Sequence, residues 1–224
     1  MKERKARVPV LRKSQETEVP QRPRRVMIAT PVGSDERTSI YYSDSLASTI
    51  KALWPTVEVF HFFITGNLCH ARNQFVQLAV EGKVDDLLFV DSDMAWTPQD
   101  VIRLIGHEEH VVSGVYRRKD DEQTIVALPK TDVAPDEKGR LEVRAAGTGF
   151  LRIDRAAYLK LWAGSETYER GGKKFRAVFE GNNLETDEDF SMCDRWRKMK
   201  GKIYLDTQVM VGHHGTKLYR VENK

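Results

Sequence analysis

One segment of this sequence limits the possible folds more than any other. Residues 86–90 read Asp-Leu-Leu-Phe-Val and are followed directly by Asp91, Ser92 and Asp93. A continuous apolar run of this length is typical of a strand inside a parallel sheet that has helices on both faces. The segment therefore predicts an α/β fold with this strand in the middle of the sheet.

The two acids that end this strand predict a cation site. Open α/β sheets bind ligands at the carboxyl ends of their strands. Strand residues two apart share a side, so Asp91 and Asp93 face together and Ser92 faces away. Their oxygens suit a hard cation such as Mg²⁺ or Mn²⁺, which can also bridge phosphate oxygens. The alternative is that Asp93 only caps the turn before Thr97.

The flanking residues alternate between strand and helix patterns, as in a doubly wound domain. Turn residues such as Pro31 and Gly33 separate the segments, and Thr97 with Pro98 reads as a helix start. We predict, in chain order, strand 25–30, helix 43–53, strand 57–64, helix 69–81, strand 86–90, helix 98–105 and strand 110–114.

The second half of the chain has shorter β segments, which predict a mixed sheet. We predict strands 125–128, 141–145 and 149–153, a helix from Asp154 to Trp162, a mobile loop over 164–174, a helix from Thr186 to Met199, and strands 202–206 and 208–211. A chain of 224 residues suits one substantial domain, which we place at 24–224.

Residues 1–23 are predicted to be a basic, flexible arm. Residues 1–25 hold nine Lys or Arg against three Glu, although the formal net charge of the chain is only +3. Such an arm can attract nucleic acid, or it can be a solvated tail without a partner. The short apolar runs predict no membrane span, and the absence of a signal-peptide pattern with only two cysteines predicts a cytoplasmic protein.

Three further motifs carry candidate functional residues, each with a purely structural alternative. Gly147-Thr148-Gly149 allows close backbone approach to a ligand, or is an ordinary turn. Asp189 lies three residues after Thr186, where it can complete a capping box at a helix start. His213 and His214 are candidate metal ligands, although a histidine can equally be structural.

Together these motifs resemble the GT-A glycosyltransferases. The order is Ala71-Arg-Asn73, Asp91-Ser-Asp93, Gly147-Thr-Gly-Phe150, Glu188-Asp189 and Gly212-His213-x-Gly215. The similarity is to family 2-like members, and most to the compact enzymes of large DNA viruses and bacteriophages, over residues 25–220.

The resemblance implies a role for each matching residue. Asp91, Asp93 and His213 would bind a divalent cation, Mn²⁺ or Mg²⁺, with His214 an alternative ligand. Asp189 would be the catalytic base, with Glu188 the less favoured candidate. The residues implied to bind the nucleoside diphosphate sugar, a UDP- or GDP-sugar, are Thr30, Pro31, Arg72, Asn73, Asp91, Ser92, Thr148 and Gly149.

The expected activity is metal-dependent transfer of a sugar, with inversion, to a hydroxyl acceptor. The acceptor is left open between a glycan, a protein and a hydroxymethylated DNA base. For a DNA acceptor, Arg117-Arg118-Lys119 and the arm would contact the DNA phosphates. A nucleotidyltransferase also uses paired acids for metal and phosphate chemistry. A nucleic-acid binding module built on the arm is the alternative that is not an enzyme.

Overall fold

The computed structural model describes residues 22–33, 37–119, 126–129, 134–180, 188–215 and 218–219. The strands are β1 (Arg24–Val32), β2 (Val57–Thr65), β3 (Asp86–Val90), β4 (Met94–Ala95), β5 (Val111–Val115), β6 (Ala127–Pro129), β7 (Arg140–Ala146), β8 (Phe150–Asp154), β9 (Thr167–Arg170), β10 (Lys173–Arg176), β11 (Ile203–Met210), β12 (Gly212–His214) and β13 (Leu218–Tyr219). The helices are α1 (Ile40–Leu53), α2 (Leu68–Gly82), α3 (Pro98–Ile105), α4 (Arg155–Ala163) and α5 (Glu188–Lys198).

A central sheet of eight strands has the order β2-β1-β3-β8-β5-β11-β7-β6. β1 lies parallel to β2 and β3, and β5 lies parallel to β11. β8 enters between β3 and β5 and is antiparallel to both, and β7 is antiparallel to β11. The expected α/β fold, with a parallel first half and a mixed second half, is confirmed.

Helices cover both faces of this sheet because the side chains of β1 and β3 alternate between them. Met27 and Phe89 pack with α2, α4 and α5 in one apolar cluster, while Ile28 and Leu88 pack with α1 and α3 in another. Each of these four side chains is almost completely buried, which stabilises the fold by about 1.5–3 kcal/mol apiece. The sheet therefore holds its strand ends, and the site built on them, in a rigid frame.

The predicted mobile loop over 164–174 is wrong, because this segment contains part of a β-hairpin. β9 pairs antiparallel with β10, with Tyr168 opposite Phe175. Gly171 and Gly172 form the two-residue connection with φ of +59° and +72°, a conformation that glycine adopts without strain. Charged residues dominate both strands, so the sequence lacks the apolar alternation by which strands are recognised.

Smaller differences concern element ends and strand continuity. α1 begins at Ile40, one turn earlier than predicted, because Ser39 caps it by accepting a hydrogen bond from the Tyr42 N–H at 3.0 Å. The two strands predicted over 202–206 and 208–211 are largely one strand, β11, with a change of register after Asp206.

Part of the arm, the proposed cap Thr186 and residue Ile125 lie outside the described residues. At the junction with the arm, Arg22 forms an ion pair with Asp85 at 2.6 Å. Within the described part of the chain, no helix combines the length and apolar character needed to cross a membrane.

Candidate active site

The two acids after β3 lie in a tight turn at the carboxyl end of the strand. The Asp91 N–H donates to the Gly149 carbonyl at 3.0 Å, which joins this turn to the start of β8. The Ser92 carbonyl accepts a hydrogen bond from the Ser39 N–H at 2.9 Å, which joins it to the start of α1. The side chains of Asp91 and Asp93 are about one-third exposed, so both carboxylates reach solvent at the edge where such sheets bind ligands.

β12 brings a histidine ring to Asp93. β12 pairs with β4 so that His213 lies opposite Met94, and its Nε2 is 3.4 Å from Asp93 Oδ1. The other ring nitrogen, Nδ1, bonds to the Arg117 carbonyl at 2.8 Å. A carbonyl can only accept, so Nδ1 carries a proton, and Nε2, which faces the carboxylate, is the ring nitrogen placed to bind a metal ion.

The neighbouring histidine faces elsewhere. The His214 N–H donates to the Asp93 carbonyl at 2.7 Å, and its ring lies 5.1 Å from the Tyr41 ring. Of the two histidines that the sequence leaves open, His213 is therefore the one whose ring faces Asp93.

Lys119 is a second partner of Asp93, and sequence reasoning assigned it only to a basic patch. Its ammonium forms an ion pair with Asp93 Oδ2. Burial raises the pKa of Asp93, but His213 and Lys119 outweigh burial and lower it overall. Asp93 is therefore ionised at neutral pH. The only signal in the sequence was the run of three basic residues, Arg117 to Lys119, that begins two residues after β5 ends.

Arg72 joins the two acidic motifs. Its guanidinium forms an ion pair with Glu188, and its Nη2 lies 3.4 Å from Asp91 Oδ1. The Arg72 side chain is only 4% exposed, so this cation is held in the interior of the site. Its buried Nε has no hydrogen-bond partner among the described residues. The structure thus brings Arg72, Asp91 and Glu188 together.

Asn73, the next residue on α2, binds a different segment. Its Oδ1 accepts a hydrogen bond from the Phe179 N–H at 2.8 Å, and its Nδ2 donates to the Phe179 carbonyl at 2.9 Å. The same Nδ2 lies 3.4 Å from the Tyr168 hydroxyl of the hairpin. In the structure, Asn73 therefore holds the chain that leads toward α5.

Glu188 and Asp189 form the first turn of α5, where acids are favoured by the helix dipole. Glu188 is committed to the ion pair with Arg72. Asp189 Oδ1 accepts a hydrogen bond from the Phe190 N–H at 2.8 Å, which is a local contact within the helix start. Glu188 therefore has a buried partner in the site, the Arg72 guanidinium.

The Gly147-Thr148-Gly149 turn packs against Tyr116, which the sequence did not single out. The Gly149 N–H donates to the Tyr116 hydroxyl at 2.9 Å. A Cβ on Gly147 would lie 2.3 Å from the Tyr116 hydroxyl, so the turn requires glycine for steric reasons. Burial raises the pKa of Tyr116 well above its usual value. Thr148 is buried and its hydroxyl has no partner among the described residues.

Thr30 and Pro31 lie at the end of β1, buried beneath α1. The Thr30 hydroxyl bonds to the Tyr42 hydroxyl, which in turn bonds to His61 Nε2 at 2.8 Å. Burial lowers the pKa of His61 to about 4, so this chain of hydrogen bonds is neutral at physiological pH.

The donor atoms around Asp93 fit a divalent cation. Asp93 Oδ1 is buried without a hydrogen-bond partner among the described residues, and it lies 3.4 Å from His213 Nε2. A carboxylate oxygen and an imidazole nitrogen are both ligands of divalent cations, and at this spacing they can share one. Within the described ranges, no three His, Cys, Asp or Glu side chains converge. Mg²⁺ and Mn²⁺ nevertheless bind with few protein ligands when phosphates and water supply the others.

No family model matches this sequence, and no curated protein matches it. Among solved structures, A197 from STIV superposes with a TM-score of 0.56 at 18% identity, over 90% of this chain and 95% of that one. A variant of Drosophila β1,4-galactosyltransferase 7, in complex with manganese, UDP-Gal and xylobiose, gives a TM-score of 0.52 at 13% identity, over 89% and 71%.

The fold is the GT-A fold. The resemblance to compact viral enzymes is confirmed at the level of the fold, since A197 is a viral protein. In this GT-A domain the Asp91-Ser-Asp93 turn, the Gly147-Thr148-Gly149 turn and the start of α5 meet at one end of the sheet, linked through Arg72 and Gly149.

Proposed function

We propose that this protein is a metal-dependent, inverting glycosyltransferase that moves a sugar from a UDP- or GDP-sugar to a hydroxyl acceptor. The observation that carries the proposal is the buried Asp93 oxygen, which lies 3.4 Å from His213 Nε2 on a GT-A domain. The similar galactosyltransferase structure, which contains manganese and UDP-Gal, supports the same assignment. We further propose a cytoplasmic setting, on the sequence alone.

Asp93 and His213 would hold the cation, with Asp91 as the third ligand. Mn²⁺ or Mg²⁺ bound there supplies positive charge to the diphosphate, which offsets the charge that develops on the leaving group. The hydrogen bond from His213 Nδ1 to the Arg117 carbonyl fixes the ring orientation that this ligand role requires. Lys119, which contacts Asp93, adds a second positive charge for the phosphates.

The donor would lie along the carboxyl ends of β1 and β3. Thr30 and Pro31 would border the nucleoside, and Ser92 the diphosphate, while Asn73 would act from α2. Arg72 would orient Asp91. Thr148 and Gly149 would border the sugar, since the Thr148 hydroxyl is buried and has no other partner among the described residues.

Asp189 would be the base, and Glu188 the less favoured candidate. Glu188 must break its ion pair with Arg72 before it can take a proton, which disfavours Glu188 as the base. The acceptor oxygen forms a bond to the anomeric carbon as the bond from that carbon to the diphosphate oxygen breaks. The acceptor proton passes to the Asp189 carboxylate, and the nucleoside diphosphate leaves with the electron pair.

The test is donor turnover with and without Mn²⁺ in the wild type and in Asp93→Asn. We expect the wild type to release nucleoside diphosphate from a UDP- or GDP-sugar only with the metal, and the variant to lose at least about 100-fold in rate. Asp194→Asn is the matched control, since it removes an exposed carboxylate that pairs only with a surface residue, Arg197, at 3.2 Å. Full turnover by Asp93→Asn in the presence of a chelator would contradict the metal assignment.

The reaction product separates glycosyl transfer from the nucleotidyltransferase alternative. Free nucleoside diphosphate indicates transfer of the sugar, and pyrophosphate formed from a nucleoside triphosphate and a sugar phosphate indicates nucleotidyl transfer. Wild-type protein that forms only pyrophosphate would replace the proposed reaction while leaving the cation site in place.

A further inference from the structure

A cavity of 350 Å³ lies between α2 and the β9–β10 hairpin, apart from the Asp93–His213 pair. Its lining combines the aromatic rings of Tyr168 and Phe179 with polar groups from His70, Asn73 and Glu166. Its volume lies within the range of small-molecule sites, which mix apolar surfaces with a few placed polar groups. The segment that forms one wall was expected from the sequence to be a loop.

Two contacts connect the lining of this cavity with the candidate active site. The Phe179 ring, which lines it, has its centroid 6.0 Å from Arg72 Cζ, and Arg72 contacts both Asp91 and Glu188. On the same side, the Glu180 N–H donates to Ser191 Oγ in α5 at 3.0 Å. The cavity lining is therefore joined to Arg72 and to α5, the helix whose first turn carries the proposed base.

Hydrogen bonds among the polar groups of the cavity fix which of them donate and which accept. The Phe179 backbone fixes the Asn73 amide, so its Nδ2 is the donor toward the Tyr168 hydroxyl. That hydroxyl then gives its own proton to His70 Nδ1 at 2.7 Å. Burial, with the nearby charge of Arg170, lowers the pKa of His70, so the ring is neutral and keeps Nε2–H as a donor.

The charges of the cavity disfavour a phosphate chain. The described acidic and basic side chains that line it are Glu166, Glu180 and Arg170, and Glu180 is paired with Arg195 at 2.8 Å, so the lining has no excess of positive charge. Nucleic-acid backbones bind where several Lys or Arg side chains neutralise phosphates. Lys173 and Lys174 lie on the same hairpin but outside this lining. Carboxylates and a neutral imidazole instead suit the hydroxyl groups of a neutral sugar.

We propose that this cavity is the acceptor subsite and that it takes a neutral sugar residue of a glycan, one hydroxyl of which is directed toward Asp189. This inference rests on the proposed function, since only a glycosyltransferase has such an acceptor. It selects a glycan from the three acceptor classes that the sequence leaves open.

The test separates use of the acceptor from use of the donor. The probes are methyl glycosides of common neutral hexoses and of xylose, beside duplex DNA containing hydroxymethylated bases. We expect transfer to at least one glycoside. Tyr168→Phe should raise the KM for that glycoside about 5-fold and Glu166→Gln about 10-fold or more, while donor KM and donor hydrolysis stay unchanged.

Glu169→Gln is the matched control, since it makes the same charge change on the same hairpin at an exposed position outside the lining. A Lys173→Gln/Lys174→Gln variant reports on a phosphate-binding mode. We expect both to leave the KM for the glycoside unchanged.

Three results would overturn the inference while leaving the proposed function intact. The first is transfer to DNA alone, lost in the double lysine variant. The second is transfer to a glycoside with an unchanged KM in both cavity variants. The third is metal-dependent donor hydrolysis without transfer to any glycoside. Failure of the wild type to hydrolyse or bind any UDP- or GDP-sugar would instead remove the proposed function itself, and the inference with it.

Discussion

At the scale of single residues, Glu188 and Asp189 show how neighbouring acids can have different roles. Glu188 is paired with Arg72, whose guanidinium is almost fully buried, so its charge balances a cation that cannot reach water. Removing one partner of such a pair costs more than removing an exposed charge, because the other partner keeps its desolvation penalty. Asp189, the next residue, accepts a hydrogen bond from the Phe190 N–H at 2.8 Å.

Matched amide substitutions separate these roles. We expect Asp189→Asn to lower kcat by at least about 100-fold while donor binding, measured by calorimetry, and stability change little. Glu188→Gln should instead lower the free energy of unfolding by about 1–3 kcal/mol, measured by urea denaturation, with a smaller loss of kcat. If the Asp189→Asn variant stayed active and the Glu188→Gln variant lost activity, Glu188 would be the base and Asp189 would not.

Residues at the ends of local patterns were predictable, whereas residues defined by distant contacts were not. Asp91, Asp93 and His213 follow strands or lie between glycines, and the structure places His213 beside Asp93 as the resemblance implied. Tyr116 contacts Gly149 because β8 lies beside β5 in the sheet, and the sequence does not give that strand order. The ion pair of Lys119 with Asp93 likewise joins chain segments that no local pattern relates.

At the scale of elements, the β7–β8 turn depends on how closely its backbone approaches Tyr116. A Cβ on Gly149 would lie 2.8 Å from both Cζ and the hydroxyl oxygen of Tyr116, closer than such atoms are found. The tyrosine is buried, so it cannot move aside freely. The two residues therefore act as one unit that sets the Gly149 carbonyl, the acceptor for the Asp91 N–H.

We expect Gly149→Ala to cost about 1–3 kcal/mol of unfolding free energy, from the strain of overpacking. In a double-mutant cycle with Tyr116→Leu, the double variant should lose less unfolding free energy than the sum of the two single losses, because the shorter side chain relieves the clash. Gly82→Ala is the control: its Cβ would meet only Val84 Cγ1, at 3.7 Å, so stability should be unchanged or rise slightly. Strict additivity would show that Tyr116 does not impose the constraint.

Sequence patterns predicted the buried strands and the helices between them but not the β9–β10 hairpin. The strands with continuous apolar cores, β1, β3 and β5, and the helices between them were predicted because burial dictates their composition. The β9–β10 hairpin was missed because it buries little more than Phe175 on its inner face and presents charges elsewhere. Its two adjacent glycines were the only local sign of a tight turn.

At the scale of the whole molecule, the order of the strands was not predictable from the sequence. Local patterns identify strands, but the position of β8 between β3 and β5 follows from which buried faces fit together. The same order brings β11 beside β5 and β7, where a polar cluster joins the far end of the sheet to α3. At its centre is His107, whose ring is 9% exposed.

His107 is bound by two carboxylates at once. Its Nε2 lies 2.7 Å from Asp206 of β11, and its Nδ1 lies 3.0 Å from Glu109. Asp206 is also paired with Arg103 of α3, and Glu109 with Arg140 of β7. The hydrogen bond to Asp206 is the largest cause of a raised pKa for His107, since both ring nitrogens donate only in the charged form.

The sign of the pH effect follows from this raised pKa. A histidine that binds its proton more tightly when folded adds stability that is fully present below its unfolded pKa of about 6.5, and that disappears as pH rises through the folded pKa. The pKa values of Asp206 and Glu109 are lowered, so their contributions act in the opposite sense and are lost only as pH falls into the acid range.

We therefore expect His107→Gln to be less stable than the wild type by about 1–3 kcal/mol at pH 6, with the difference narrowing as pH rises above 6.5. Urea denaturation of both proteins over a series of pH values measures this. Arg103, Arg140, Asp206 and Glu109 are unchanged in both, so their own titrations largely cancel in the comparison. A difference that is constant with pH would show that His107 contributes packing rather than a bound proton.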